Sequence, residues 1–176
     1  MSRRKQRGVI GLDLSITAPA GCFIPPGWRI GVWGDLTMWR MDPVSPASDD
    51  FEGLYERLDS ITRGVVRFVV QHDPSLVRVE NYAFSKKSSS VTKLAELGGA
   101  VRVALFNHSY VAVPVPVSQA RKLLLGRLPQ KDAKHAVQRA LYQHGATFKD
   151  DNETDAFAVA NWALSETGAP CMMLHE

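Results

Sequence analysis

Two periods of hydrophobic spacing divide the chain. An apolar run over residues 8–15, β-branched at its start, predicts a buried strand ending near Asp13. Cys22, Phe23 and Ile24 predict a short second strand, broken by Pro25 and Pro26. Residues 28–41 carry Ile30, Val32, Trp33, Leu36, Met38 and Trp39, which predicts strand, with Gly34 and Asp35 as a bend or hairpin turn. From Phe51 the spacing turns helical, through Leu54, Tyr55, Leu58, Ile61, Val65, Phe68 and Val69. Asp73 and Pro74 stop that helix, and residues 76–82 predict a strand with Glu80 near its C-terminal end. Ser88, Ser89 and Ser90 then cap a helix carrying Val91, Leu94, Leu97, Val101 and Leu105. Gly98 and Gly99 inside it predict close packing against a neighbour. Residues 110–117 predict a strand, and Ser118 opens a short helix ending at Gly126. Two more helices are predicted over 131–144 and 154–167, the second with Asn152 as its N-cap. Strands followed by strand–helix alternation predict an α/β sheet with helices on its faces.

Length and composition fit this reading. A chain of 176 residues with 45% apolar and 22% charged residues is sized for one globular domain. The expectation is one domain over 1–176, with a basic N-terminal tail at 1–7 and a C-terminal tail at 168–176. No apolar run approaches the ~18 residues that span a bilayer, so no membrane partner is expected. Cys22 and Cys171 are too few for a disulfide framework or an all-cysteine zinc site, and a cytoplasmic location is expected.

The net charge is only +3, but the charges are segregated. Residues 118–139 hold Arg121, Lys122, Arg127, Lys131, Lys134 and Arg139 against Asp132 alone, and Lys86, Lys87 and Lys93 form a second basic group. Acids gather at 49–59 and 150–155. A basic surface beside an acidic cluster suits a polyanion-binding protein with a metal site; solvated helix faces account for the same composition.

Three acids stand out by position. Asp13 and Glu80 are predicted at strand ends and Asp155 in the first turn of the last helix. Functional groups of α/β sheets meet beyond the carboxyl ends of strands. Asp151 and Asn152, four and three residues before Asp155, share its helical face if the helix reaches back to them. Converging carboxylates repel one another unless a cation joins them, and hard divalent ions take oxygen ligands. Taken singly, Asp13 is also an ordinary turn residue, Glu80 an edge charge, and the acids at 151–155 residues favoured at a helix start.

In order along the chain these residues resemble a family. The run Gly11-Leu12-Asp13-Leu14-Ser15 resembles the opening strand of the RuvC-type Holliday junction resolvases, nucleases of the ribonuclease-H-like superfamily. Residues 79–87, 93–99 and 115–122, then Gly126 and Lys131, resemble the stretches that follow in that family. The run Asp155-Ala156-Phe157-Ala158-Val159-Ala160 is similar to its closing helix. The long strand region at 28–41 resembles phage-encoded members more than bacterial ones.

The resemblance implies a ribonuclease-H-like mixed five-stranded sheet flanked by helices. It implies a homodimer that nicks four-way DNA junctions in pairs, using Mg2+ or Mn2+, in a bacterial or phage-infected cell. It makes Asp13, Glu80 and Asp155 catalytic metal ligands and Lys131 a catalytic residue near the scissile phosphate. The family position three before Asp155 is Asp or His; here Asn152 stands there with Asp151 beside it, so either is the fourth ligand. Candidate DNA contacts are Tyr82 and Phe84, which share a face with Glu80 and serve either as core or as base-stacking groups. Lys86, Lys87, Ser88, Ser89, Arg121, Lys122 and Lys131 are candidate phosphate contacts. His135 and His144 are expected on exposed helix positions and the tryptophans in the core or a dimer interface. Two alternatives remain at this level: a junction-binding protein that has lost cleavage, and a related nuclease with broader branched or RNA-containing substrates.

Overall fold

The computed structural model describes residues 7–42, 51–81 and 88–175, with backbone alone for 88–90. Five strands form one sheet among these residues: β1 (Val9–Asp13), β2 (Ala20–Ile24), β3 (Thr37–Arg40), β4 (Leu76–Glu80) and β5 (Ala112–Val115). Their spatial order is β3-β2-β1-β4-β5. The first three pair antiparallel, whereas β1, β4 and β5 run parallel. This is the expected mixed five-stranded sheet.

Five helices cover it. Helix α1 (Phe51–His72) connects β3 to β4, and α2 (Ser88–Asn107) connects β4 to β5. They lie over one face, where Ile61, Val65 and Val69 of α1 and Leu97, Val101 and Leu105 of α2 meet Ile10, Leu12, Val77 and Val79. On the other face lie α3 (Val117–Leu125), α4 (Ala133–Gln143) and α5 (Asp151–Glu166). There Ala120, Leu124, Val137 and Leu141 pack with Ala156, Val159, Ala160 and Ala163 of α5 against Val9 and Cys22.

Alternation along β1 sends Ile10 and Leu12 to the first face and Val9, Gly11 and Asp13 towards α5. Gly11 is needed there. A Cβ at this position would lie 2.1 Å from the backbone N of Ala160 and 2.4 Å from the carbonyl O of Ala156. Together with the alanines of α5, it lets the helix backbone rest directly on the strand. Gly99, by contrast, has open space where its Cβ would stand, whereas its neighbour Gly98 is buried.

The region 28–41 departs from expectation. Only Thr37–Arg40 is strand, preceded by a 3-10 turn at Trp33–Asp35. Gly27 and Gly31 take positive φ of 73° and 85°, which bends the chain and tucks Trp28 edge-on against Phe157. The feature compared with phage-encoded members is thus a short strand and a turn. The segment 168–175 is docked: buried Asn161 bonds the backbone of Met172 in both directions, at 2.7 and 3.0 Å. Leu174 N–H donates to Leu124 O at 2.7 Å. No helix among the described residues is long and apolar enough to cross a membrane.

Candidate active site

The site lies at the carboxyl ends of β1 and β4. These strands are parallel neighbours with Leu12 opposite Val79, so Asp13 and Glu80 end side by side. Val77 and Val79 pack into the α1–α2 face, whereas Arg78 reaches across to Glu166 of α5 at 2.7 Å. Glu80, two residues beyond Arg78, therefore projects to the α5 face, as Asp13 does.

Helix α5 brings the third acid. It starts earlier than expected, at Asp151, and its N-cap is Asp150 rather than Asn152. Asp150 Oδ1 accepts the Glu153 N–H at 3.0 Å, while Glu153 accepts the Lys149 N–H at 2.8 Å. An N-cap bond like that of Asp150 contributes about 1 kcal/mol to the helix. Asp150 is also paired with Arg40 at the end of β3, which ties the helix start to the sheet edge. Asp155 is the fifth residue of α5, directly before the Ala156–Ala160 contact with Gly11, and so comes down beside Asp13.

Asp13, Glu80 and Asp155 each offer a carboxylate oxygen within 4.8 Å of the others. Asp13 is 6% exposed and Asp155 1%. Burial, a hydrogen bond with Glu80 and the charges of Glu80 and Asp155 hold the Asp13 carboxyl well above its ordinary pKa. Buried acids that repel one another in this way fit a hard divalent cation, which relieves both the repulsion and the lost hydration.

Two cations border the acids. Arg121 of α3 grips Asp155 with a fork, Nε to Oδ1 at 2.8 Å and Nη2 to Oδ2 at 2.6 Å. Burial opposes its charge, but the bonds and charge of Asp155, with Glu80 and Asp13 behind it, raise its pKa above the ordinary value. Lys134 of α4 lies 2.8 Å from Asp151 and 3.5 Å from Asp155. Burial works against the Asp151 carboxylate, yet the bond and charge of Lys134 prevail and keep its pKa low.

The sequence-predicted residues fall into groups. Asp13, Glu80 and Asp155 converge. Asp151 and Asn152 occupy the first turn of α5, half-buried; Asp151 is engaged by Lys134, and no side-chain bond forms at Asn152 among the described residues. Arg121, read as a surface phosphate contact, is drawn inward onto Asp155. Lys122 and Lys131 are exposed. Lys131 was expected to open a helix, but α4 starts at Ala133, and Lys134 is the lysine turned to the acids. Tyr82, Phe84, Lys86 and Lys87 lie outside the described residues. Ser88 and Ser89 begin α2, with no side-chain description. Lys134 was counted among the basic residues but given no role; the i,i+4 acids Asp151 and Asp155 were the available signal for a cation facing them. His135 and His144 are exposed and held by Asp132 and by the Ala140 carbonyl.

Comparison with known proteins bears on family and fold. A family model described as crossover junction endodeoxyribonuclease RuvC matches residues 36–162, a span containing Glu80, Asn152 and Asp155 but starting after β1. The protein named crossover junction endodeoxyribonuclease RuvC from Rhodospirillum rubrum is 29% identical over 143 residues, covering 78% of this chain and 84% of that protein. Its namesake from Dechloromonas aromatica is 27% identical over 157 residues, 84% of this chain and 87% of that one. Among solved structures, T. thermophilus RuvC in complex with Holliday junction substrate aligns with a TM-score of 0.67 at 18% identity. That alignment covers 94% of this chain and 99% of the other. Fowlpox virus resolvase, in a complex with Holliday junction DNA, aligns with a TM-score of 0.54 at 11% identity, over 91% and 98% of the two chains. At these identities the structural likeness speaks for the fold, and the sequence match over most of the chain speaks for the family. The chain belongs to the crossover junction endodeoxyribonuclease RuvC family.

Proposed function

We propose that this chain is a divalent-metal-dependent endonuclease that resolves four-way and related branched DNA junctions as a homodimer in the cytoplasm of a bacterial or phage-infected cell. The observation that carries the reading is the meeting of Asp13, Glu80 and Asp155 from two parallel strands and a helix, with Arg121 and Lys134 alongside. The three carboxylates would hold Mg2+ or Mn2+, with Asn152 or Asp151 completing the set. Such ions, when bound, activate water and stabilise the leaving oxygen of a phosphodiester.

The protein's own groups do the rest. Asp13 and Glu80 fix two oxygen donors on rigid strand ends, and the packing of α5 on Gly11 fixes Asp155 opposite them. Positioning of this quality lowers a barrier without further chemistry. Arg121 and Lys134 bring positive charge to the rim, where a phosphate gains charge in the transition state. Exposed Lys122 and Lys131, with Lys86, Lys87, Ser88 and Ser89, provide a path for the phosphate backbone, and Tyr82 or Phe84 a surface for an unstacked base. Recognition by phosphates in this way reads shape more than sequence.

The test is a labelled four-way junction against a linear duplex of matched sequence, each with Mg2+, Mn2+ or chelator, with the protein's mass measured by sedimentation. The reading expects metal-dependent, paired nicks in the junction, a dimeric mass, and no cleavage by Asp13→Asn although that variant still binds. Tight junction binding without nicking under any metal would instead select the binding-protein reading that Asn152 motivates.

A further inference from the structure

The acidic cluster carries its own cation. Both oxygens of Asp155 are engaged by the Arg121 guanidinium, and one of them also faces the Lys134 ammonium at 3.5 Å. A carboxylate has about four lone-pair positions, so these contacts occupy most of what Asp155 can offer a metal. Arg121 is not a surface group that wandered in. Its side chain is 14% exposed, and it feels the charges of Glu80 and Asp13 as well as of Asp155. With Asp151 included, four carboxylates face two cations, and the formal sum is −2, which one divalent cation would balance. A divalent ion entering the cluster therefore meets a fixed positive charge a few ångströms away, in a setting too buried for water to screen it well. A guanidinium fork fits a phosphate as well as a carboxylate, so Arg121 has a second partner available when DNA arrives.

We propose that Arg121 is a built-in counter-ion of the metal site: it holds Asp155 in the metal-free protein and lowers the site's affinity for divalent cations until a phosphate takes the guanidinium. This rests on reading the acids as a metal site. It also separates Arg121 from a simple orienting role, in which its loss would disorder Asp155 and weaken metal binding.

The experiment is Mn2+ titration of the DNA-free protein by calorimetry, for wild type, Arg121→Gln, Arg121→Lys and Lys134→Gln. Coulomb repulsion over a few ångströms predicts that Arg121→Gln lowers the dissociation constant about tenfold or more. Arg121→Lys keeps the charge and should stay within about threefold of wild type. Lys134→Gln should tighten binding by a smaller factor, since Lys134 stands further from Asp155. Equal or weaker binding by Arg121→Gln overturns the proposal. Should circular dichroism find Arg121→Gln unfolded, two readings decide: Lys134→Gln, and the wild-type Arg121 Nε–H resonance during Mg2+ titration. The proposal expects that resonance to move along the binding isotherm; one that stays fixed to saturation, or a Lys134→Gln that binds no tighter, overturns it. No DNA is present, so a failure of junction cleavage leaves this result standing, and the reverse.

Discussion

Gly11→Ala is the sharpest test of how the fold positions the site. The new Cβ would stand 2.1 Å from Ala160 N, 2.4 Å from Ala156 O and 2.7 Å from Ala160 Cα, all backbone atoms of α5. Ordinary contact begins at 3.4 Å, so the helix must retreat by the difference, 1.3 Å, or the strand must bend by as much. A radial gap of about 1 Å already forfeits up to half of the dispersion attraction across an interface. Here that interface includes Ala156, Val159, Ala160 and Ala163, all fully buried. Overpacking a core costs about 1–3 kcal/mol where side chains can yield, and these are main-chain atoms, so a loss of about 3 kcal/mol or more is expected. Asp155 moves with the helix, and a misplacement of about 1 Å costs on the order of 100-fold in rate. The measurement is urea denaturation monitored by tryptophan fluorescence, with junction cleavage at saturating Mg2+ on the fraction that remains folded. Gly99→Ala is the control, since nothing lies within 4 Å of its Cβ and alanine is the better helix former by about 1 kcal/mol. A Gly11→Ala protein within about 0.5 kcal/mol of wild type and fully active would refute this account of the α5–β1 contact.

Other outcomes follow from the same site. In the presence of chelator, Asp13→Asn should be more stable than wild type by about 1–3 kcal/mol near neutral pH, because a buried, repelled charge is removed. The pH sign follows from linkage: the folded Asp13 carboxyl titrates above its unfolded value of 3.8. The folded state thus holds the extra proton, and metal-free wild-type stability declines as pH rises from about 4 through the folded pKa. Asp13→Asn should lack that component, which urea melts at several pH values would reveal. Junction affinity should fall steeply with salt, and neutralising Lys122 or Lys131 should each reduce the log–log slope by about 0.9; an unchanged slope means no phosphate contact at that residue. Asn152→Asp should lower the Mg2+ concentration for half-maximal cleavage, since a full charge replaces a dipole, while Asp151→Asn should change it little. The opposite pattern identifies Asp151 as the ligand.

The strand ends and the order of elements were legible because β1 is a short apolar run, β4 alternates Val77 and Val79 with Arg78 and Glu80, and α5 carries the apolar run Ala156–Ala160 directly after its acids. Asp13 and Glu80 stood out as acids where burial is costly, and the structure buries Asp13 and half-buries Glu80. Helix starts were less legible. Three consecutive cap-forming residues, Asp150, Asp151 and Asn152, precede Glu153, and only the extended backbone of Asp150 and its bond to Glu153 N distinguish the true cap. The same uncertainty misdirected attention to Lys131. Because α4 starts at Ala133, Lys131 lies ahead of the helix, and Lys134, three residues on and inside the first turn, is the lysine brought to the acids. The segment 28–41 misled for another reason. Its apolar residues are used to cover Phe157 and α5 through a turn, and a turn whose glycines adopt positive φ can bury as much as a strand does. Arg121 was legible as basic but not as inward-facing, because its partner lies 34 residues away on another helix.

The distribution of the acids along the chain has a consequence during synthesis. Asp13 is the first of the three acids to be made, and Asp155 leaves the ribosome about 140 residues later. At ordinary translation rates this delay is on the order of 10 s. Through that interval the nascent chain holds Asp13, joined about halfway by Glu80, without the helix that completes the cluster. Nuclease competence therefore arrives with α5, after all five strands and the α1–α2 layer have been made, and truncated products ending before α5 cannot assemble the three-carboxylate centre. A chain that handles DNA gains from this order: incomplete copies carry the basic surface without the means to nick.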